Sequence, residues 1–146
     1  MVLELLIVES SVSFALELER ICIESGFSVL GVVDHSLKAL EIIYTKLPDI
    51  ILMDVNILGG ISGIDIGNKI MHLGIPICYF TSFGDGHSFD RVSRTNTAAY
   101  LVKPIDNYSL RSVINLLFQN CQKTIPIMSS LKKERLLFLL SRRNVS

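Results

Sequence analysis

The chain has no surplus charge of either sign. Its 14 Lys and Arg balance 14 Asp and Glu, so no global field draws it to nucleic acid or to an anionic membrane. Cysteine is sparse. Cys22, Cys78 and Cys121 are far apart, odd in number and set in apolar stretches, with no Cys-x-x-Cys pair. They read as buried thiols in a reducing cytoplasm rather than as a disulfide framework or a metal site. No apolar run approaches the roughly 20 residues that a membrane-spanning helix needs. The start, MVLELLIVES, lacks a basic segment and meets Glu4 and Glu9 too early for a signal peptide. A soluble cytoplasmic protein is expected.

What is present is apolar. At 146 residues, 49% hydrophobic and 19% charged, the chain suffices for one substantial core but not for two ordinary domains. A domain over residues 1–122 and an extension over 123–146 follow. Runs rich in Leu, Ile and Val recur at Leu3 to Val8, Phe27 to Val33, Asp49 to Met53, Ile75 to Phe80 and Ala98 to Val102. Most are apolar at successive positions, as in strands covered on both faces, so each is a candidate central strand. Between them, apolar residues at three-to-four spacing mark helices: Phe14, Leu18, Ile21; Leu37, Leu40, Ile43, Tyr44; Ile64, Ile66, Ile70, Leu73; and Leu110, Val113, Ile114, Leu117. Ser10 or Ser11, Ser36, Ser62 and Asp106 stand where N-caps belong. Gly84 to Asn96 is polar with few anchors, which predicts a weaker, more mobile helix. Five strand-helix repeats predict a doubly wound α/β domain, whose function collects beyond the carboxyl ends of the strands.

At those ends stand Glu9 and Ser10, Asp54, Thr81 and Ser82, and Lys103 followed by Pro104. Two converging carboxylates imply a cation, and oxygen ligands on short loops suit Mg²⁺. An ionised Asp54 beside that cation and an ammonium is a nucleophile towards a phosphoryl group. His35, His72 and His87 lie apart, without metal-ligand spacing, and read as solvated. GGISG lacks both the P-loop ending and the Gly-x-Gly-x-x-Gly spacing, so it reads as a turn.

These residues resemble a family. DIILMDVNILGGISGID is similar to the third strand and following loop of response-regulator receivers, YFTS to their Thr or Ser position, and YLVKPID to their Lys-Pro motif. The resemblance covers about residues 2–121. It implies a flavodoxin-like parallel sheet of order 2-1-3-4-5, with Asp54 phosphorylated by a sensor histidine kinase or a phosphotransfer protein. It further implies that Thr81 and Lys103 contact the phosphoryl group and that Tyr100 acts with Thr81 as the switch. Glu9, Asp54 and the main-chain carbonyl of Asn56 would hold Mg²⁺, and Lys103-Pro104 would be cis. The protein is then a signalling module rather than an enzyme, acting on a downstream protein partner across the Gly84 to Leu117 face.

The pattern departs from the family at Ser10, which stands where a second acidic residue is usual. One negative charge is missing, so weak Mg²⁺ binding and slow phosphorylation are expected. Ser10 favours a second reading, a pseudo-receiver that docks proteins without phosphorylation. The loop Ile57 to Ile61 lacks the family's Pro and is one residue longer than its commonest form. A small hydrolase on the same sheet would need a Ser-His or Cys-His pair at the strand ends, which is missing.

Beyond Cys121, Pro126 interrupts the helix and Ser129 or Ser130 to Arg143 predicts another. Its all-round apolar run, Leu136 to Leu140, calls for burial against the body or in a homodimer. The flanking basic residues come with no DNA-reading module and no clear polar face for a membrane.

Overall fold

The runs at Leu5 to Val8, Ile50 to Met53 and Ile77 to Phe80 are apolar at every position because both sides of the sheet are covered. The computed structural model describes residues 2–82 and 86–122, the side chains of 86–88 excepted. Strands β1 (Glu4–Val8), β2 (Ser28–Val33), β3 (Ile50–Asp54), β4 (Ile77–Thr81) and β5 (Thr97–Val102) pair in parallel in the order β2-β1-β3-β4-β5. Helices α1 (Val12–Ser25), α2 (Ser36–Lys46), α3 (Gly63–Lys69), α4 (Gly86–Val92) and α5 (107–122) cross between and beyond them. This is the expected flavodoxin-like arrangement.

Alternate residues of the central strands feed two separate cores. Leu6, Val8, Ile51, Met53, Ile77 and Tyr79 pack with Ala39 and Ile43 of α2, Ile64 and Ile66 of α3, and Val92 of α4. Leu5, Ile7, Ile50, Leu52, Cys78 and Phe80 pack with Leu18 and Ile21 of α1 and Leu110, Ile114 and Leu117 of α5. Each fully buried Leu, Ile or Phe contributes on the order of 1.5–3 kcal/mol, so β1, β3 and β4 carry most of the sheet's stability. The two outer strands do not fit the expectation of five central strands. Val32 and Val102 are exposed, and β2 and β5 each have a neighbour on one side only.

Local chemistry ends the helices. Gly26 (φ 112°) closes α1 in a left-handed conformation. Ser62 and Asp65 form a capping box at the start of α3, and Asp106 accepts from the Ser109 amide at the start of α5. Two expected caps differ. The Ser11 side chain makes no cap bond to the α1 backbone. At α2 the cap is His35, whose Nδ1 accepts from the Leu37 amide. Ser36 is buried one residue further on, and its Oγ donates to the Gly59 carbonyl across 23 residues of sequence. The third helix is also shorter than its apolar spacing suggests, giving way to a 3-10 turn at Met71–Leu73. Gly84 to Asn96 does contain a helix, the seven-residue α4. All three cysteines are buried. Among the described residues no helix is long and apolar enough to cross a membrane. The extension 123–146, with its expected helix and dimer contact, lies outside the described residues.

Candidate functional site

The site is built by stagger. Asp54, the last residue of β3, lies opposite Phe80, so Thr81 stands one step beyond it on β4; Thr81 in turn lies opposite Val102, so Lys103 stands one step beyond on the far side. The Lys103 amide continues the ladder by donating to the Thr81 carbonyl at 2.7 Å. On the other flank, Glu9 directly follows β1 and its amide donates to the Val33 carbonyl. Three polar strand ends therefore converge around Asp54.

Glu9, Asp54 and Thr81 are all buried. The Lys103 ammonium joins the two acids: Nζ lies 2.7 Å from Asp54 Oδ2 and 2.9 and 3.0 Å from the two Glu9 oxygens. The remaining oxygen of Asp54 accepts from the Asn56 amide at 2.7 Å, and Glu9 Oε1 also accepts from the Ser11 amide at 3.1 Å. All four carboxylate oxygens thus have donors. Nζ also sits 4.4 Å from the centre of the Phe14 ring, in cation–π range. Burial pushes the Glu9 carboxyl above the ordinary carboxylate range; bonds to Lys103 and Ser11 pull it back, and the charge of Asp54 adds to the rise. For Lys103, burial opposes the charged form, but hydrogen bonds to Asp54 and Glu9 outweigh it and raise the ammonium above its usual value.

The loop after Asp54 is held from two sides. Leu58 forms an isolated parallel bridge with His35, and Ser36 donates from both amide and hydroxyl into the loop, at 2.9 and 3.0 Å. Gly59 and Gly60 adopt positive φ, as the turn reading of GGISG requires. Gly63 opens α3 against the Asp54 carbonyl, where a methyl group would collide. Lys103-Pro104 is cis. Tyr100 is half-buried on β5 and meets Phe89 of α4 edge to face, with ring centroids 5.6 Å apart.

The structure brings Glu9, Asp54, Thr81 and Lys103, each expected at a strand end, to one edge of the sheet. Ser10 is exposed beside them and lines, with Glu9, Asp34 and Lys38, a cleft of ≈ 310 Å³ between α1 and α2. Three contributors were missed. Phe14 read only as an apolar helix residue, Ser36 only as a cap, and His35 only as a solvated side chain. Their partners are distant in sequence, and no local signal names them.

Set against known proteins, residues 5–115 match the family model described as the response regulator receiver domain. The chain belongs to the response-regulator receiver family. It is 30% identical over 112 residues to the transcriptional regulatory protein PdtaR of Mycobacterium tuberculosis, covering 76% of this chain and 54% of that protein. Against the phyllosphere-induced regulator PhyR of Methylorubrum extorquens it is 29% identical over 123 residues, covering 82% and 45%. The receiver thus spans about half the length of these curated relatives. Its fold matches the signal receiver domain of a putative Luxo repressor protein from Vibrio parahaemolyticus with a TM-score of 0.77, at 19% identity, over 87% of this chain and 98% of that one. Receivers of this family are signalling modules of two-component systems that generally use Mg²⁺ at the acidic pocket and act through kinases and downstream partners.

The residues present fit a tightly held Mg²⁺ poorly. Among the described residues no group of three His, Cys, Asp or Glu gathers for a metal. Ser10 brings no charge, and the two buried carboxylates already share an ammonium.

Proposed function

We propose that this receiver accepts a phosphoryl group on Asp54 from a histidine kinase or phosphotransfer protein and signals to a downstream protein. The observation that carries the reading is the contact of Asp54 with Lys103, at the strand end flanked by Thr81. A carboxylate oxygen of Asp54 forms the new P–O bond as the P–N bond to the donor imidazole breaks, and the imidazole keeps the electron pair. Lys103 and the Thr81 hydroxyl then face the phosphoryl oxygens, where charge accumulates in transfer. A cleft of ≈ 390 Å³ lined by Ser11, Phe14, Ser82, Lys103, Pro104 and Ile105 gives access to the ammonium. In this reading Mg²⁺ is bound weakly by Glu9, Asp54 and the Asn56 carbonyl, with Ser10 adding no charge.

Phosphorylation draws on Thr81 and Lys103, which lie on β4 and directly after β5. Tyr100 of β5 packs on Phe89 of α4, so a change at Thr81 has a short route to the α4–β5–α5 face. That face exposes Phe89, Val102, Tyr108 and Leu116, apolar surface suited to a partner protein. The names of PdtaR and PhyR, both regulators, agree with a regulatory output. A homodimer through residues 123–146 is part of the same proposal.

Intact-mass spectrometry after incubation with a kinase or a small phosphodonor tests it. A phosphoryl adduct is expected on the native chain and not on Asp54→Ala. If neither chain gains one, the alternative stands: a pseudo-receiver that docks partners without phosphorylation, a reading favoured by Ser10.

A further inference from the structure

The loop after Asp54 is built from residues with little to hold them in place. Asn56, Leu58, Gly59 and Gly60 are exposed, and Gly59 and Gly60 adopt positive φ; glycines lose the most conformational freedom when a loop is fixed. This same loop touches Asp54, because the Asn56 amide donates to Asp54 Oδ1 at 2.7 Å. It is held by a residue far back in the sequence. Ser36 is fully buried in the first turn of α2, and both its donors reach the loop: the amide bonds the Leu58 carbonyl at 2.9 Å and the hydroxyl bonds the Gly59 carbonyl at 3.0 Å. His35 extends the seam by bridging Leu58 in parallel. Glycine is required at position 59 twice, by its φ of 111° and because a methyl group there would collide with Ser36 Oγ and the His35 ring. The base of the seam is firm, since Ala39 and Ile43 anchor α2 in the core beside Leu6 and Val8 of β1.

We infer that Ser36 is a positioning residue for Asp54: by tying the Leu58 and Gly59 carbonyls to the first turn of α2, it fixes Asn56 and, through the Asn56 amide, the Asp54 carboxylate. The inference deepens the phosphoacceptor reading and, for its effect on phosphoryl transfer, rests on it. An attacking carboxylate must face the donor in line, and a small misplacement of such a group is costly in rate. Lys103 orients Asp54 Oδ2, whereas Oδ1 is oriented by a loop that Ser36 keeps in place. Loss of the Ser36 hydroxyl bond is worth about two- to tenfold in how often the loop leaves that place.

The test compares the native chain with Ser36→Ala and with Ile43→Val, which weakens the same helix from its buried side and leaves the seam intact. Solvent exchange of the Asn56 amide, followed by nuclear magnetic resonance, reads the loop without any phosphoryl chemistry. Ser36→Ala is expected to speed that exchange about two- to tenfold, and Ile43→Val to leave it near the native rate. Unchanged exchange in Ser36→Ala, or an equal rise in both variants, overturns the inference. In parallel, labelling by phosphoramidate with Mg²⁺ is followed by intact mass across donor concentrations. The P–N bond of the donor breaks as the P–O bond to Asp54 forms, and ammonia leaves with the electron pair. Ser36→Ala should lower the maximal labelling rate, with the half-saturating donor concentration unchanged, and Ile43→Val should lower neither. A maximal rate equal to that of a labelled native chain overturns the positioning role. If no chain is labelled while the Asn56 exchange behaves as expected, the phosphoacceptor reading fails and the hold of Ser36 on Asn56 and Asp54 stands.

Discussion

Replacing Lys103 with Met keeps most of the side-chain volume and removes the ammonium that Glu9 and Asp54 share. The Glu9 and Asp54 side chains are 1% and 5% exposed, against 18% for Lys103, so two carboxylates would be left facing each other with little water. Breaking a buried pair by removing one partner costs about 3–5 kcal/mol. The partial exposure of Lys103 lets water in and places the expected loss near the lower end, about 3 kcal/mol at neutral pH. Losing the Phe14 contact adds about 0.5–1 kcal/mol. Urea unfolding followed by circular dichroism measures the loss. It should shrink on acidification, because protonating either carboxylate removes the repulsion. Adding Asp54→Asn to Lys103→Met should restore most of the stability, a coupling expected of groups in contact. A loss below about 1 kcal/mol, within the range of an ordinary surface ion pair, would refute the reading of these groups as a tightly coupled cluster.

Further expectations concern the same edge and the core beneath it. Gly63→Ala should destabilise by about 1–3 kcal/mol, because its methyl group meets the fixed Asp54 carbonyl; thermal unfolding checks this, and an unchanged midpoint would mean that α3 can shift freely. The folded-state pKa of Lys103 is raised, so its pairing stabilises the fold fully below the ordinary value of 10.5 and that contribution is lost as pH rises through the raised value. Urea midpoints should therefore fall above that pH more in the native chain than in Lys103→Met, and parallel curves would contradict the pairing. Burial pushes the Cys22 thiol up to about 12 and raises that of Cys78 further, so both should resist iodoacetamide in the native protein and react in urea, as peptide mass mapping would report.

Much of the fold is legible in the sequence because the central strands have no solvent-facing side. Ile50 to Met53 and Ile77 to Phe80 are apolar at every position, a pattern that requires layers above and below. The same rule misreads β2 and β5, since Phe27 to Val33 looks like a central strand until the sheet order makes it an edge. The site was legible for a related reason. Polar residues at the carboxyl ends of apolar strands, as at Glu9, Asp54, Thr81 and Lys103, have one edge of the sheet to occupy. Hidden from sequence were the contacts that depend on packing between distant segments. Ser36 looks like a cap by its position, but the loop after Asp54 comes close enough to take its hydroxyl, leaving His35 to cap α2. Phe14 has the spacing of a core residue and packs, half-buried, edge to face on Phe80 at 5.3 Å; only the assembled sheet brings Lys103 over its ring.

Whether Asp54 receives the phosphoryl group is best decided by incubating the full chain with a phosphodonor, reducing any acyl phosphate with borohydride, and mapping peptides by tandem mass spectrometry. Conversion of residue 54 to homoserine, and of no other residue, is the expected result. An intact Asp54 in a chain that carries label elsewhere, or that stays unlabelled with an active histidine kinase, would contradict the phosphoacceptor role.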